Sequence, residues 1–290
     1  MQKKKTAVPT YLGVAAVWIG SHFGPGFATG AFSVRWYVKY GWVGLVTPLL
    51  AMLITGGVMY FMLEYAREHG TPNYRPFARS CYGEKLGGVV AVLYDICFLM
   101  TMMCAGGLAF SGEGKLLQGF LGVNYWATAI VTILISAALC LYGSKLLAKS
   151  SGYLITILLM VCLIFTLFSY TNVFDVCTET LPVMAVLNQL GMKWLQWLYV
   201  ILMTLAVLTS AAGLAHAGNV RFDRLFRFIK NAQLRRFVIT AILLGIAAVG
   251  AALGFQAMLQ QGTSIVGWAA IPIVVIPAFT IVASKVRKAK

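Results

Sequence analysis

Charged residues are scarce in this sequence of 290 residues: they make up 11% of the chain, and only 8 of them are Asp or Glu. Soluble domains carry about a quarter charged residues, so the shortage excludes an ordinary soluble enzyme. A disordered tail contains few hydrophobic residues, whereas 60% of this chain is hydrophobic. Six cysteines are too few in a chain of this length for a disulfide-stapled module. They form no C-x-x-C pair, and the three histidines are widely separated, so neither residue type has metal-ligand spacing. No catalytic motif is present either, and we expect no enzyme.

Apolar residues are correspondingly abundant: they make up 60% of the chain, and the mean hydropathy is +0.83. A helix needs about 20 apolar residues to cross a hydrocarbon core. Eight segments meet this requirement, so the sequence predicts an all-α, polytopic membrane protein with one transmembrane domain over residues 1–290. The predicted spans lie near residues 8–33, 44–65, 86–110, 125–142, 153–169, 195–217, 237–257 and 264–283.

The net charge of +15 reflects membrane topology, because cytoplasmic loops keep an excess of Lys and Arg. All but four of the 23 basic residues lie in one set of alternate loops, and the exceptions are Arg35, Lys39, Lys115 and Lys193. We therefore expect both termini in the cytoplasm, a plasma membrane of bacterial type, contact with the lipid bilayer and no nucleic-acid partner. Apolar residues at helical spacing among basic ones also predict an amphipathic helix over 222–230.

A helix-breaking run lies within the first span: Gly20-Ser21-His22-Phe23-Gly24-Pro25-Gly26-Phe27-Ala28-Thr29-Gly30. Proline lacks an N–H group and clashes with the preceding turn, while glycine permits non-helical dihedral angles. We expect the helix to unwind near residues 23–26, where free carbonyls suit a cation and free N–H groups suit a carboxylate. The alternative is a proline kink that packs closely against a neighbouring helix.

Adjacent hydroxyls form a second polar feature, at Thr209 and Ser210 in the sixth predicted span. Hydroxyls in membrane helices commonly bond carbonyls of their own helix. They are also hard oxygen ligands of the kind that an alkali cation prefers. Both interpretations stay open on these residues alone.

Together these motifs resemble LeuT-fold transporters of the amino acid/polyamine/organocation superfamily, and most of all the YkvI-type membrane proteins. The run from Gly24 to Gly30, followed by Tyr40-Gly41, is similar to that family's glycine-rich first helix. Three segments of this chain are similar to the family's eighth helix: Leu181-Pro182-Val183-Met184, Leu198-Tyr199 and the residues from Thr209 to Gly213.

The resemblance implies a secondary active transporter of a small solute, an amino acid or related zwitterion, that is coupled to sodium or protons by alternating access. It also implies a bound sodium ion. The ion would lie between the carbonyls of Gly20, Phe23 and Ala206 and the hydroxyls of Thr209 and Ser210.

The substrate carboxylate would meet the N–H groups of Gly24, Gly26 and Phe27 by the same resemblance. Two further side chains, His22 and Asp95, are candidates for proton coupling, because ionisable groups at membrane depth are functional candidates by default. For Asp95 a shallow position is the alternative, since it lies only about 13 Å from the start of its predicted span.

Two helices of the family have no counterpart in this sequence. The family has ten core helices in two inverted repeats, whereas here a first repeat over 8–169 is followed by a shortened second repeat over 195–283. The sixth and seventh helices are the missing ones. The alternative function is therefore a non-transporting, degenerate member of the fold: a sensor, an accessory subunit or half of an oligomeric assembly. A homodimer would fill the gap.

Overall fold

The structure of the protein is a computed structural model that describes residues 25–71, 73–142 and 178–289. These residues form helices joined by short connections, and no β-strand occurs among them. The prediction of an all-α, polytopic protein is confirmed. In chain order the helices are α1 (Pro25–Ala28), α2 (Ala31–Trp36), α3 (Val43–Glu68), α4 (Tyr74–Tyr82), α5 (Glu84–Thr101), α6 (Gly107–Leu121), α7 (Tyr125–Tyr142), α8 (Pro182–Leu190), α9 (Lys193–Phe222), α10 (Ala232–Leu253), α11 (Phe255–Ala257), α12 (Thr263–Ala270) and α13 (Ala283–Ala289).

Six of the predicted spans correspond to helices that are long and apolar enough to cross a membrane. The predicted span at 153–169 lies wholly outside the described residues, and the one at 8–33 lies mostly outside them. The protein is therefore a multi-pass membrane protein in contact with lipid. Over the described ranges the spanning segments are Val43–Glu68, Glu84–Leu121, Tyr125–Tyr142, Lys193–Phe222, Ala232–Leu253 and Phe255–Arg287.

The third span is longer than predicted, because α5 continues through a π-helical turn at Met102–Gly106 into α6. The sequence placed its end near residue 110, before the polar run Ser111-Gly112-Glu113-Gly114-Lys115. That boundary is wrong. Within the run, the Ser111 hydroxyl is satisfied by the Gly107 carbonyl of its own helix at 2.6 Å. The helix ends only at Gly122, whose φ of 70° lies in the left-handed region.

The chain clusters into two compact units. Unit 1 falls within Met1–Val34 and Met102–Leu259, and unit 2 within Arg35–Thr101 and Gln260–Lys290. In unit 1, α6 and α10 approach each other closely: a Cβ on Gly107 would lie 2.7 Å from the Gly250 carbonyl carbon. Both α7 and α9 pack against this helix pair, which forms the centre of the unit.

In unit 2, the short amphipathic helix α4 packs on α5. Its buried face carries Phe77, Ala78 and Cys81. Of these, Phe77 and Cys81 lie in one apolar cluster with Tyr65 of α3 and Val286 of α13. The cluster joins α3, α4 and α13, which are far apart in the sequence.

The amphipathic helix predicted at 222–230 is wrong. Helix α9 ends at Phe222, and tight turns follow, in which the Leu225 amide donates to the Phe222 carbonyl at 2.9 Å. The Arg235 side chain stabilises these turns by donating to Asp223 Oδ1 at 2.7 Å and to the Ile229 carbonyl at 3.1 Å. Because these bonds hold the segment as turns, its apolar residues do not form a helical face.

Candidate functional site

The described end of the first span is an interrupted helix. Helix α1 has only four residues, and the chain turns at Thr29 and Gly30 before it continues as α2. Gly30 has a φ of 79°, a left-handed conformation that favours glycine. The break was predicted near residues 23–26, but Pro25 and Gly26 belong to α1, so the described interruption comes later, at Thr29 and Gly30. The predicted site residues Gly20, His22, Phe23 and Gly24 lie outside the described residues, so their roles stay predictions.

Hydrogen bonds from two directions hold the interruption. Thr29 is fully buried, and its hydroxyl donates to the Gly26 carbonyl at 3.1 Å. The Thr29 carbonyl accepts the amide of Val183, in α8, at 3.2 Å. Membrane proteins tolerate non-helical backbone only where other protein groups satisfy it, and α8 does so here. Of the predicted carboxylate ligands, Gly26 and Phe27 lie in α1, beside this point.

Helix α9 carries the described part of the predicted sodium site. Ala206, Thr209 and Ser210 are half-buried in this helix. The Thr209 hydroxyl lies 2.8 Å from the Leu205 carbonyl and 3.1 Å from the Ala206 carbonyl, so it bonds within its own helix. A hydroxyl that donates keeps its oxygen lone pairs, and this bonding is therefore compatible with a bound cation. The sodium site itself stays a prediction.

Asp95, in unit 2, has two partners on α4. Its carboxylate accepts the Arg75 guanidinium at 2.8 Å and the Tyr74 hydroxyl at 2.6 Å. The Arg75 Nε also donates to the Tyr74 oxygen at 2.8 Å. The bond to Tyr74, together with Asp95, raises the pKa of Arg75 above its usual range. These contacts attach α4 to α5, and the role of Asp95 in proton coupling stays a prediction.

A glutamate that the sequence analysis did not single out is the strongest candidate in unit 1. Glu113 lies in α6, about 12 Å along the helix from its end at Leu121. Its side chain is 0% exposed. The Oε1 atom lies 2.6 Å from the hydroxyl of Thr204 in α9, and the buried Oε2 atom has no hydrogen-bond partner among the described residues. Ionisable groups in this setting are costly and mark functional sites.

The two helices that carry this carboxyl and its partner, α6 and α9, both pack against α1. Unit 1 therefore brings together an interrupted helix and a buried ionisable side chain. Ion-coupled transporters build their binding sites from these two features.

A polar cavity of about 670 Å³ opens between α6, α8 and α9. It is lined by Leu116, one helical turn from Glu113, and by Gln196, two turns from Thr204. Leu116 is 1% exposed, and Val200, on the α9 face between Gln196 and Thr204, is 3% exposed. These two apolar side chains lie along the helices between the cavity and the buried carboxyl.

The cavity wall carries both signs of charge. Lys115 of α6 and Glu179, just before α8, are among its lining residues, together with Asn188 and Gln196. The Gln196 side-chain amide donates to Asn188 Oδ1 at 3.2 Å and to the Leu187 carbonyl at 3.0 Å, which attaches α8 to α9. The cavity thus offers charged groups and carboxamides to a small polar solute.

Sequence reasoning missed Glu113 because glycines flank it and made the run resemble a loop. A signal was nevertheless present. Leu116 and Phe120 follow Glu113 at i+3 and i+7, which continues one helical face to the end of α6. Thr204 carried no such signal, because its role depends on a contact between residues 91 positions apart.

Comparison with known proteins finds a similarity to "Uncharacterized membrane protein YkvI" of Bacillus subtilis (strain 168). The two sequences are 22% identical over 155 residues, which is 52% of this chain and 42% of that protein. The matched region thus spans less than half of the relative's length. No family model matches the chain, and no solved structure matches it. The similarity agrees with a membrane protein, as the spanning helices show.

Proposed function

We propose that this protein is a secondary active transporter of a small solute, an amino acid or related zwitterion, that is coupled to protons or sodium by alternating access. The observation that carries the proposal is Glu113, a glutamate fully buried in a membrane-spanning helix and bonded to a hydroxyl of a second span. The interrupted first span, which packs on both of these helices, supports it.

An ionisable side chain within a membrane helix costs free energy. An ionised side chain at the centre of a membrane helix costs about 2.5–3.5 kcal/mol in insertion measurements. An apolar residue of similar size at position 113 would avoid this cost and pack well. A coupled transporter needs a group that binds a cation on one side and releases it on the other, and a buried carboxyl meets this need. The site therefore favours transport over the non-transporting alternative.

The cavity favours a zwitterionic solute. Its volume lies within the range of small-molecule sites. Lys115 suits a carboxylate, Glu179 suits an ammonium group, and the carboxamides beside them can donate or accept. The resemblance to LeuT-fold transporters implies a second position for the solute's carboxylate, outside this lining, at the N–H groups of Gly24, Gly26 and Phe27.

Transport by purified protein in liposomes tests the proposal. We expect labelled amino acids, presented one at a time, to accumulate when an inward gradient of protons or of sodium is imposed. The variant Glu113→Leu should fold and lose accumulation. A matched control is Glu84→Gln, because the Glu84 side chain is 84% exposed at the start of α5. If folded wild-type protein accumulates none of the common amino acids under either gradient, the proposal is wrong.

A further inference from the structure

The hydroxyl of Thr204 has two acceptors within hydrogen-bond distance but only one hydrogen to donate. Its Oγ1 atom lies 2.6 Å from Glu113 Oε1 and 2.9 Å from the Val200 carbonyl oxygen. With an ionised Glu113, both neighbours are acceptors and must share the one hydroxyl hydrogen, which weakens each bond. With a protonated Glu113, the carboxyl donates to Thr204 Oγ1 and the hydroxyl donates to Val200, so both contacts are hydrogen bonds.

We propose that Glu113 is protonated in this structure, with the proton on Oε1, and that it is the proton-binding group of the transport cycle. The second part rests on the proposed function, whereas the first part does not. The ligand of this site is therefore a proton, and Thr204 is a positioning residue that aligns it.

The surroundings of Glu113 favour the neutral form. Its Oε2 atom is buried and has no hydrogen-bond partner among the described residues. A neutral carboxyl leaves there only an unpaired carbonyl oxygen, whereas an ionised one leaves part of a buried negative charge.

Among the residues that the structure describes, the ionisable groups on the helices that pack against α6 supply no compensating cation. On α6 itself Lys115 lines the polar cavity. On α7 the Tyr125 ring lies beside Gly114, and its hydroxyl donates to the Ala251 carbonyl at 3.0 Å. Tyr199, buried in α9, and Cys104, in the π-helical turn, carry no positive charge. Helices α1 and α11 have no ionisable side chain. The basic side chains of α9 and α10 lie at least 11 residues, or about 16 Å, along those helices from Thr204 or Gly250.

The arrangement also defines how the proton leaves. When water from the polar cavity reaches Glu113, the O–H bond at Oε1 breaks and the proton passes to that water. The carboxylate that remains then accepts the Thr204 hydroxyl hydrogen, which turns away from the Val200 carbonyl. Rebinding reverses both steps. Leu116 and Val200, which lie along the helices between cavity and carboxyl, must separate to admit the water.

Infrared spectroscopy of the purified protein in lipid tests the protonation directly. A protonated carboxyl group has a carbonyl band that carboxylates and amides lack. We expect this band at neutral pH in wild-type protein, its loss in Glu113→Gln and its retention in Glu84→Gln. Gln is nearly isosteric, and its side-chain amide can donate to Thr204 in place of the carboxyl. If wild type and Glu113→Gln have the same band at neutral pH, Glu113 is ionised and the inference is wrong.

Variants of Thr204 separate alignment from simple burial. Thr204→Val keeps the shape but removes the hydroxyl, so the Glu113 band should shift, while Thr204→Ser should restore its wild-type position. A band that is insensitive to Thr204→Val contradicts the hydrogen bond on which the assignment rests.

Proton flux distinguishes a failure of this inference from a failure of the proposed function. Liposomes containing the protein and a trapped pH indicator are given the mixed common amino acids, and solute entry is followed with labelled amino acids in parallel. Wild type should move protons with solute. Glu113→Gln should lose proton movement and accumulation while it still exchanges labelled for unlabelled solute. Solute entry without proton movement in wild type would overturn the coupling role and leave the transporter proposal standing.

Discussion

One added methyl group between α6 and α10 should destabilise the protein. A Cβ on Gly107 would lie 2.7 Å from the carbonyl carbon of Gly250 and 2.8 Å from its Cα. Both atoms are backbone, so no side chain can rotate away, and the helices must separate by about 1 Å to regain normal contact distances. Overpacking costs roughly 1–3 kcal/mol, and the better helix propensity of Ala offsets about 1 kcal/mol of it. For Gly107→Ala we therefore expect a net loss of up to about 2 kcal/mol.

The matched control lies on the partner helix. Gly245 is exposed on α10, and nothing lies within 4 Å of a Cβ placed there. Gly245→Ala should therefore be neutral or should stabilise by up to about 1 kcal/mol, from propensity alone. Reversible unfolding in mixed micelles, followed by circular dichroism, measures the free energy of unfolding of both variants.

A double variant sharpens the test. A Cβ on Gly250 would meet the Met103 carbonyl across the same helix contact. Because the first methyl group already separates the helices, Gly107→Ala with Gly250→Ala should cost less than the sum of the single changes. Equal stability of Gly107→Ala and Gly245→Ala, or strict additivity in the double variant, would refute the close contact.

Three further outcomes are expected. Thr209→Ala with Ser210→Ala should abolish any stabilisation by sodium in thermal unfolding. The control Thr280→Ala removes a hydroxyl that bonds its own helix at an exposed position, and it should keep the stabilisation. If the double variant is still stabilised by sodium, the predicted sodium site is excluded. Asp95→Asn keeps an acceptor but loses the ion pair, so the free energy of unfolding should fall by roughly 1–2 kcal/mol, and an unchanged value would contradict the attachment of α4 to α5. Burial raises the pKa of the Cys81 thiol. In a variant that keeps only this cysteine, the rate of alkylation should therefore rise at a higher pH than it does for free cysteine. A pH profile identical to that of free cysteine would show that the thiol is accessible.

Hydropathy predicted the described spans because each span is a long run of apolar residues, which is visible in the sequence itself. The fourth span illustrates this, since its predicted bounds match α7. The start of α10 was placed five residues late, at residue 237, because Arg235 and Arg236 resemble a cytoplasmic loop. A cap residue was the better guide: the side chain of Asn231 accepts the amides of Gln233 and Leu234 at 2.9 and 3.2 Å.

The site was harder to predict, because its members meet only in the folded chain. The glycine run of the first predicted span placed the break near residues 23–26, whereas the described interruption lies at Thr29 and Gly30, after a helical turn that contains Pro25 and Gly26. No local pattern links Glu113 to Thr204 or Thr29 to Val183, and both contacts depend on which helices pack together. A polar residue within a span can be found by inspection, but its partner cannot.

The glycines on either side of Glu113 help to explain why its carboxyl is buried. A Cβ on Gly112 would lie 3.1 Å from the Phe255 ring, and one on Gly114 would lie 2.7 Å from the Tyr125 ring. Glycine at position 114 leaves room for the Tyr125 ring, and glycine at position 112 lets the Phe255 ring approach without a shift. Close packing on both sides buries the carboxyl, and burial favours the neutral form of a carboxyl group. Glycines favour a loop in a soluble protein. In this membrane helix they allow the close packing that keeps the Glu113 carboxyl protonated.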